Sequence, residues 1–198
     1  MKKYLLAVMI LGVLLAGTLL IHHAVAAPAV AAMRDLIAIN SLTVAQTTEV
    51  ELLGRSAFQT AKLQCSEGLC SYSTDRENRL LSLFHLAPRT TLSTTVLVRD
   101  GIVVQIFAVV AGTGTLPIAV VQGSRLPNGC AADPCVKLPH QSNKFLSNIV
   151  IHFTNQSELH NRWPQIFNAE CLSRLRGCNG YSELLPLANE LNLPPTAH

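Results

Sequence analysis

The sequence predicts an α+β protein: an antiparallel β-sheet with a central hairpin and short helices packed on one face, preceded by an N-terminal hydrophobic helix. Three observations lead there. Lys2 and Lys3 are followed by a long uncharged run. Two β-branched apolar runs flank Asp100-Gly101 within residues 94–110, TTVLVRDGIVVQIFAVV. The six cysteines fall as three close pairs, Cys65/Cys70, Cys130/Cys135 and Cys171/Cys178.

The N-terminus carries an export signal. A positive start, an uncharged stretch over residues 4–21 and Ala24-Val25-Ala26 make the n-region, apolar core and small-x-small site of a secretory leader. The apolar stretch exceeds the usual leader core and approaches the roughly 18 residues of a membrane span. Residues 1–26 are therefore either a signal peptide cut after Ala26 or an uncleaved anchor with Lys2 and Lys3 on the inner side. No cysteine stands in or just after this segment, which excludes a lipid-modified N-terminal cysteine. Residues 27–41 read as a spacer or a short helix, residues 42–193 as a single disulfide-stapled α+β domain, and residues 194–198 as a tail.

Charge bounds the partners. Lys2 and Lys3 supply two of the 15 Lys and Arg residues, and the remaining 13 nearly balance 12 Asp and Glu. A near-neutral exported part without a Lys/Arg cluster has no footprint for nucleic acid. The partners it leaves open are an envelope protein and, if the leader stays, the membrane.

Along the chain, Thr43-Val-Ala-Gln46 fits a capping box for a short helix that ends at Gly54. Residues 57–72 read as a hairpin with a four-residue loop between Cys65 and Cys70, and Gly68 supplies the turn. Thr74-Asp-Arg-Glu77 is a second capping box, ahead of a helix over residues 75–86 that Pro88 stops. Asp100-Gly101 suits a two-residue type I′ turn, in which both residues need φ > 0. That turn pairs Arg99 with Ile102, Val98 with Val103, Leu97 with Val104 and Val96 with Gln105. Both faces of the ribbon are largely apolar, so it belongs at the centre of a sheet, covered on both sides.

Residues 116–122 form a further strand, which Pro117 demotes to an edge at its start. Residues 124–147 are a long loop, and residues 148–153 (NIVIHF) are another strand. Asn168 caps a helix over residues 169–176 that Gly177 ends, and Pro186 breaks a last helix over residues 181–191. The sum is a sheet of four to six strands.

An oxidising compartment makes disulfides the default for the cysteines. Opposed positions near a hairpin end suit Cys65 and Cys70. Cys130 and Cys135 would clip a Pro/Gly-rich loop. Cys171 and Cys178 meet only if the helix between them stops at Gly177, since seven helical residues span about 10.5 Å. Zinc held by the two C-x4-C pairs is the alternative use of four of these thiols. A thiol redox site would show C-x-x-C, and the chain has none.

Thr43, Val50, Leu53-Gly54, Tyr72 and the strand-turn-strand Val96-Leu-Val-Arg-Asp-Gly-Ile-Val103 resemble the SmpA/OmlA-type small lipoproteins of outer-membrane assembly. The resemblance covers about residues 43–104. It implies a helical layer on a three-stranded antiparallel sheet and a scaffolding role. The family's lipid-bearing cysteine is missing, no Pro follows Leu53-Gly54, and the C-terminal half has no counterpart.

No Gly-x-Ser-x-Gly elbow, P-loop, dinucleotide-binding glycine motif or His-Glu-x-x-His is present. The sequence therefore points to a non-catalytic binding or scaffolding domain of the cell envelope that needs no cofactor. Trp163, Phe167 and His160 are the candidate binding patch. The alternative is a small envelope hydrolase or metal-dependent enzyme using His140, His152 or His160. It would pair one of them with a nearby acid, or bring all three together on a metal; scattered structural histidines are the simpler reading.

Overall fold

The computed structural model describes residues 2–112, 117–137, 149–174, 176–177, 181–188 and 190. The fold is α+β. A seven-stranded sheet has the order β1-β2-β3-β4-β5-β7-β6: β1 Lys62–Ser66, β2 Leu69–Glu77, β3 Thr90–Arg99, β4 Ile102–Gly112, β5 Ile118–Gly123, β6 Cys135–Lys137 and β7 Ile149–Thr154. All neighbours are antiparallel except β5 and β7. The helices are α1 Lys2–Asn40, α2 Glu49–Leu53, α3 Arg79–Leu83, α4 Trp163–Ile166 and α5 Tyr181–Leu184, with 3-10 turns at Ala169–Leu172 and Pro186–Ala188.

Strand alternation sorts the side chains between two faces. Val96, Ile106, Ala108, Ile118, Val120, Ile151 and Phe153 are buried on one face. Helix α1 and the Ala169–Leu172 turn pack against that side of the sheet. On the other face Leu97, Phe107, Val109, Val121 and Val150 are only half-buried. The β3–β4 ribbon is central as its apolar runs predict, but among the described residues it is covered on one side rather than two. Short β-branched residues and Ser, Thr and Gln among them make that outer face tolerable in water.

The Asp100-Gly101 turn has φ of 52° and 74°, as a type I′ turn requires. Its predicted register holds for Arg99–Ile102 and Val98–Val103 and then slips. A bulge between Leu97 and Val98 pairs Leu97 with Gln105 and Val96 with Ile106. The extra residue keeps Val103 and Ile106 both on the covered face, which an unbroken period of two cannot do.

Helix α1 departs furthest from the expected layout. Residues 27–40, read as a spacer or short helix, are its last turns. Ala32, Leu36 and Ile39, at i, i+4 and i+7, are fully buried members of the core. The helix is uninterrupted through Pro28, although proline removes one N–H from the ladder.

Other boundaries moved for local reasons. The helix after residue 43 starts at Glu49, because Thr48 forms the capping box with Glu51 and Ala45 takes φ 65°. Thr74-Asp-Arg-Glu77 lies in β2, where β3 supplies its backbone partners over nine residue pairs, so α3 begins only at Arg79. The first hairpin closes through Glu67-Gly68, with φ 51° and 78°, as a two-residue turn. Strand β5 is internal, because its ladder starts after Pro117, whose carbonyl accepts from the Ile149 amide at 3.0 Å. The 124–147 loop contains β6, so the sheet has seven strands where four to six are predicted. Residues 169–172 form a 3-10 turn that Asn168 caps through the Glu170 amide. The seven strands also exceed the three that the lipoprotein resemblance implies.

Asp35 and its partners hold α1 to the sheet. The Asp35 side chain is fully buried among apolar helix residues. Arg76 of β2 meets it with two hydrogen bonds, Nε to Oδ2 at 2.7 Å and Nη2 to Oδ1 at 3.1 Å. Thr74 Oγ1 donates to the same Oδ2 at 2.8 Å and lies 2.6 Å from Thr94 Oγ1 of β3. Removing one partner of such a buried pair leaves the other charge uncompensated. Asp35→Ala should lower unfolding stability by about 3 kcal/mol or more in a denaturant titration. A Thr18→Ala control, at an exposed hydroxyl bonded only to its own helix, should change it by less than about 0.5 kcal/mol. Equal effects of the two would refute the docking role.

Candidate functional site

The described residues offer two linked features near α1: a buried polar network at its C-terminal end and an apolar groove along its outer flank. Gln122, the last buried side chain of β5, organises the network. The Trp163 indole N–H donates to Gln122 Oε1 at 2.9 Å. An indole is only a donor, so the amide orientation is fixed. Gln122 Nε2 then donates to Asn155 Oδ1 at 2.8 Å and faces His160 Nδ1 at 3.0 Å. With the amide carrying both hydrogens there, His160 Nδ1 accepts, and the ring proton sits on Nε2 of a neutral imidazole. Asn155 Nδ2 donates to the Val44 carbonyl at 2.8 Å. Asn40, at the end of α1, accepts from the Trp163 amide at 2.9 Å. The network therefore ties the end of α1 to β5 and α4.

Trp163 is 0 % exposed and Phe167 2 %. They offer no surface to a ligand, so the expected patch of Trp163, Phe167 and His160 is a core element instead. Trp163 packs on Phe153 of β7 with ring centroids 5.4 Å apart, anchoring α4 to the sheet.

The three histidines do not share one site. His160 points into the network on the covered face. His152 alternates with buried Ile151 and Phe153 and so belongs to the opposite face, opposite Cys135 of β6. His140 lies outside the described residues. Among the described residues no group of three or more His, Cys, Asp or Glu is placed to hold a metal ion.

Among the described residues, two of the expected cysteine pairs stand complete as disulfides. Cys65–Cys70 staples the end of the first hairpin with a Cα separation of 4.1 Å. Cys130–Cys135 ties the loop to β6 at 5.6 Å. These four sulfurs are thus bonded to one another rather than arranged around zinc. Cys171 is also disulfide-bonded, while Cys178 lies outside the described residues. Gly177 does adopt the left-handed φ of 63° expected of a helix terminator. Asp133 fastens the Cys130–Cys135 loop to β7 by accepting from the Thr154 amide at 3.2 Å and hydroxyl at 2.5 Å.

At the hairpin end, α2 is fixed to the sheet. The Glu49 amide donates to the Gly101 carbonyl at 2.8 Å, and the Tyr72 hydroxyl donates to Glu49 Oε1. That bond to a carboxylate, aided by burial, pushes the Tyr72 phenol up to about 12.

The groove has a volume of about 570 Å³ and runs between α1 and the Ala169–Leu172 turn. Ala26, Ala29, Val30, Met33 and Ile37 make its apolar wall, with Arg34 and Glu170 as its charged groups. On the preceding turns exposed Leu19 lies in line with it. Comparison with known protein families, curated proteins and solved structures returns no match for this chain.

Sequence reasoning reached Trp163 and His160 but not Gln122, Asn155 or Asp35. A signal existed for Asp35, the only acid before Glu49, set in the apolar helical series of Ala32, Leu36 and Ile39. Gln122 closes an otherwise apolar strand, and its three partners lie at least 33 residues away.

Burial holds the His160 imidazole below the usual histidine range, and burial followed by the nearby Lys137 charge does the same for His152. The folded state thus binds fewer protons than the unfolded chain below about pH 6.5. Stability should be full above that pH and fall on acidification toward pH 5, and His160→Gln should flatten the decline, as measured by urea unfolding at each pH. Reducing the disulfides at pH 7.5 should lower stability by about 2 kcal/mol per short loop opened. Alkylation before reduction should label none of Cys65, Cys70, Cys130 or Cys135.

Proposed function

We propose that this chain is an exported, non-catalytic binding or scaffolding domain held at the outer surface of the cytoplasmic membrane by α1. The observation that carries the reading is the double use of one helix. From Met9 to Ile21 it exposes large apolar side chains, among them Met9, Leu11, Val13, Leu15, Leu20 and Ile21. From Ala32 to Ile39 the same helix is part of the domain core. Such exposure over a span-length stretch is costly in water and favourable in lipid. Met9–Asn40 is long and apolar enough by composition to cross a bilayer.

Disulfides at Cys65–Cys70 and Cys130–Cys135 support placement in an oxidising space. The scaffolding part of the reading draws on the polar network and the ion-paired docking site, in which each described side chain is engaged in holding elements together. It agrees with the role implied by the resemblance to outer-membrane-assembly lipoproteins, and a partner protein of the envelope is the ligand class it calls for.

The test is expression of the whole chain with a phosphatase reporter fused after His198. Reporter activity, sedimentation with carbonate-washed membranes and an N-terminus that still contains Lys2 and Lys3 are expected. An inactive reporter would reject export. A soluble product starting at Ala27 would replace the anchor by a cleaved leader. Stoichiometric zinc in the purified protein, lost on chelation together with an activity, would replace scaffolding by the metal-dependent enzyme.

A further inference from the structure

We propose that α1 pairs in parallel with α1 of a second copy of this chain, forming a two-stranded seam that runs from the apolar stretch into the folded domain. The proposal rests on the anchor reading above. Met9, Gly12, Ala16, Leu19, His23, Ala26, Val30, Met33 and Ile37 recur at alternating steps of three and four. That is the a/d pattern of a two-stranded coil. It spans four heptads, with Gly12 and His23 as its positions without an apolar side chain and Arg34 as its one charged e or g residue.

The distal half decides the matter, because an apolar residue before Ile21 has lipid to face. Beyond His23 the helix carries two apolar stripes. Ala32, Leu36 and Ile39 face the sheet and are buried. Ala26, Val30, Met33 and Ile37 lie about 120° away around the helix at 100° per residue. Val30 and Ile37 are 59 % and 56 % exposed. A helix with only one packed face would carry polar residues on the other, and here Arg34 is the only charged residue on that side. The second stripe lies to the side of the sheet-facing one: Met33 also packs on the core, while Val30 and Ile37 face out of the groove that α1 forms with Ala169, Glu170 and Ser173.

Charge selects a second copy over an arbitrary apolar helix. Arg34 follows Met33 at an e position, and Ala29 precedes Val30 at a g position. In a parallel pair the e side of one helix faces the g side of the other. Ala29 and Glu170 line the same groove. Arg34 of the same copy lines that groove too, and in a parallel pair the partner's e-position Arg34 would approach Glu170 from the g side as a second cation. Glu170 is exposed and already bound to Arg174 at 3.0 Å, so it retains oxygen capacity for a second guanidinium. Gly12 and Ala16 place no bulk between the backbones in the apolar half, which suits close helix approach in lipid.

The experiment uses the full chain in membranes, with its intact mass checked first. Single cysteines replace Val30 or Ile37 on the seam, or Ala24 or Ala31 off it, and mild oxidation follows. Cross-linked product of twice the chain mass is expected severalfold more at Val30 and Ile37 than at Ala24 and Ala31. In detergent, the double variant Val30→Asp with Ile37→Asp should sediment as a monomer where the parent is a dimer. Its circular dichroism should be unchanged, since both positions are exposed, while its unfolding midpoint should lose the dependence on protein concentration that pairing gives the parent. Equal cross-linking at all four sites, or none, in an intact chain overturns the pairing and leaves the anchor reading standing. A product of another mass assigns the seam to a different helix and overturns self-pairing. A chain already cut after Ala26 overturns both readings together.

Discussion

The carboxylate of Asp35 is the constraint on which the arrangement depends. A charge at 0 % exposure in the middle of an apolar helix stripe is unfavourable by several kcal/mol unless it is fully bonded. Only one position of α1 over the sheet gives it both nitrogens of Arg76 and the hydroxyl of Thr74. The apolar contacts of Ala32, Leu36 and Ile39 would tolerate sliding or rotation of the helix by a fraction of a turn. The ion pair does not, because a shift of 1.5 Å, one residue of rise, would separate bonds now at 2.7–3.1 Å. Hydrophobic burial supplies most of the attraction and the polar group selects the register.

The second network works in the same manner at the other end of the contact. Each polar atom of the Gln122 amide is used, and Asn155 and Asn40 carry the connection to the backbone at Val44, ahead of α2, and at Trp163, the first residue of α4. Among the described residues no buried side-chain nitrogen or oxygen lacks a partner. Complete satisfaction of this kind makes a polar core specify one structure rather than several. The outer sheet face follows a different rule. At the β1 edge, all five residues are exposed and Lys62 pairs with Asp75 at 2.9 Å, which blunts the strand as a template for another chain.

The fold class, the central ribbon and two disulfides were legible because their signals are local. Asp100-Gly101 sets its own turn, and Cys65 and Cys70 stand opposite each other once Glu67-Gly68 closes the hairpin. The capping boxes at Thr43 and Thr74 misled for a physical reason. Both satisfy the helix-start pattern, but Thr74 is more stable bonded to Asp35 and Thr94 across 39 and 20 residues, and nine ladder pairs with β3 outweigh one helix cap. The bulge at Leu97/Val98, the parallel β5–β7 pairing and the Gln122 network depend on partners distant in sequence, which periodicity does not encode. His160 was found as a residue and misplaced in role, because the same side chain serves a metal or an amide and only its neighbours decide.

Uninterrupted helicity through Pro28 has a mechanical consequence. A domain on a loose tether samples many orientations over the surface below it, whereas one continuous rod converts the tilt of its lower half directly into the attitude of its upper half. From Ile21 to Ala32 that rod rises only about 16 Å, so with its lower half in lipid the sheet would sit at a near-constant height with the same edge always facing the headgroups. Changes in bilayer thickness would then be felt as leverage on the sheet, and any partner would meet it from one preset direction.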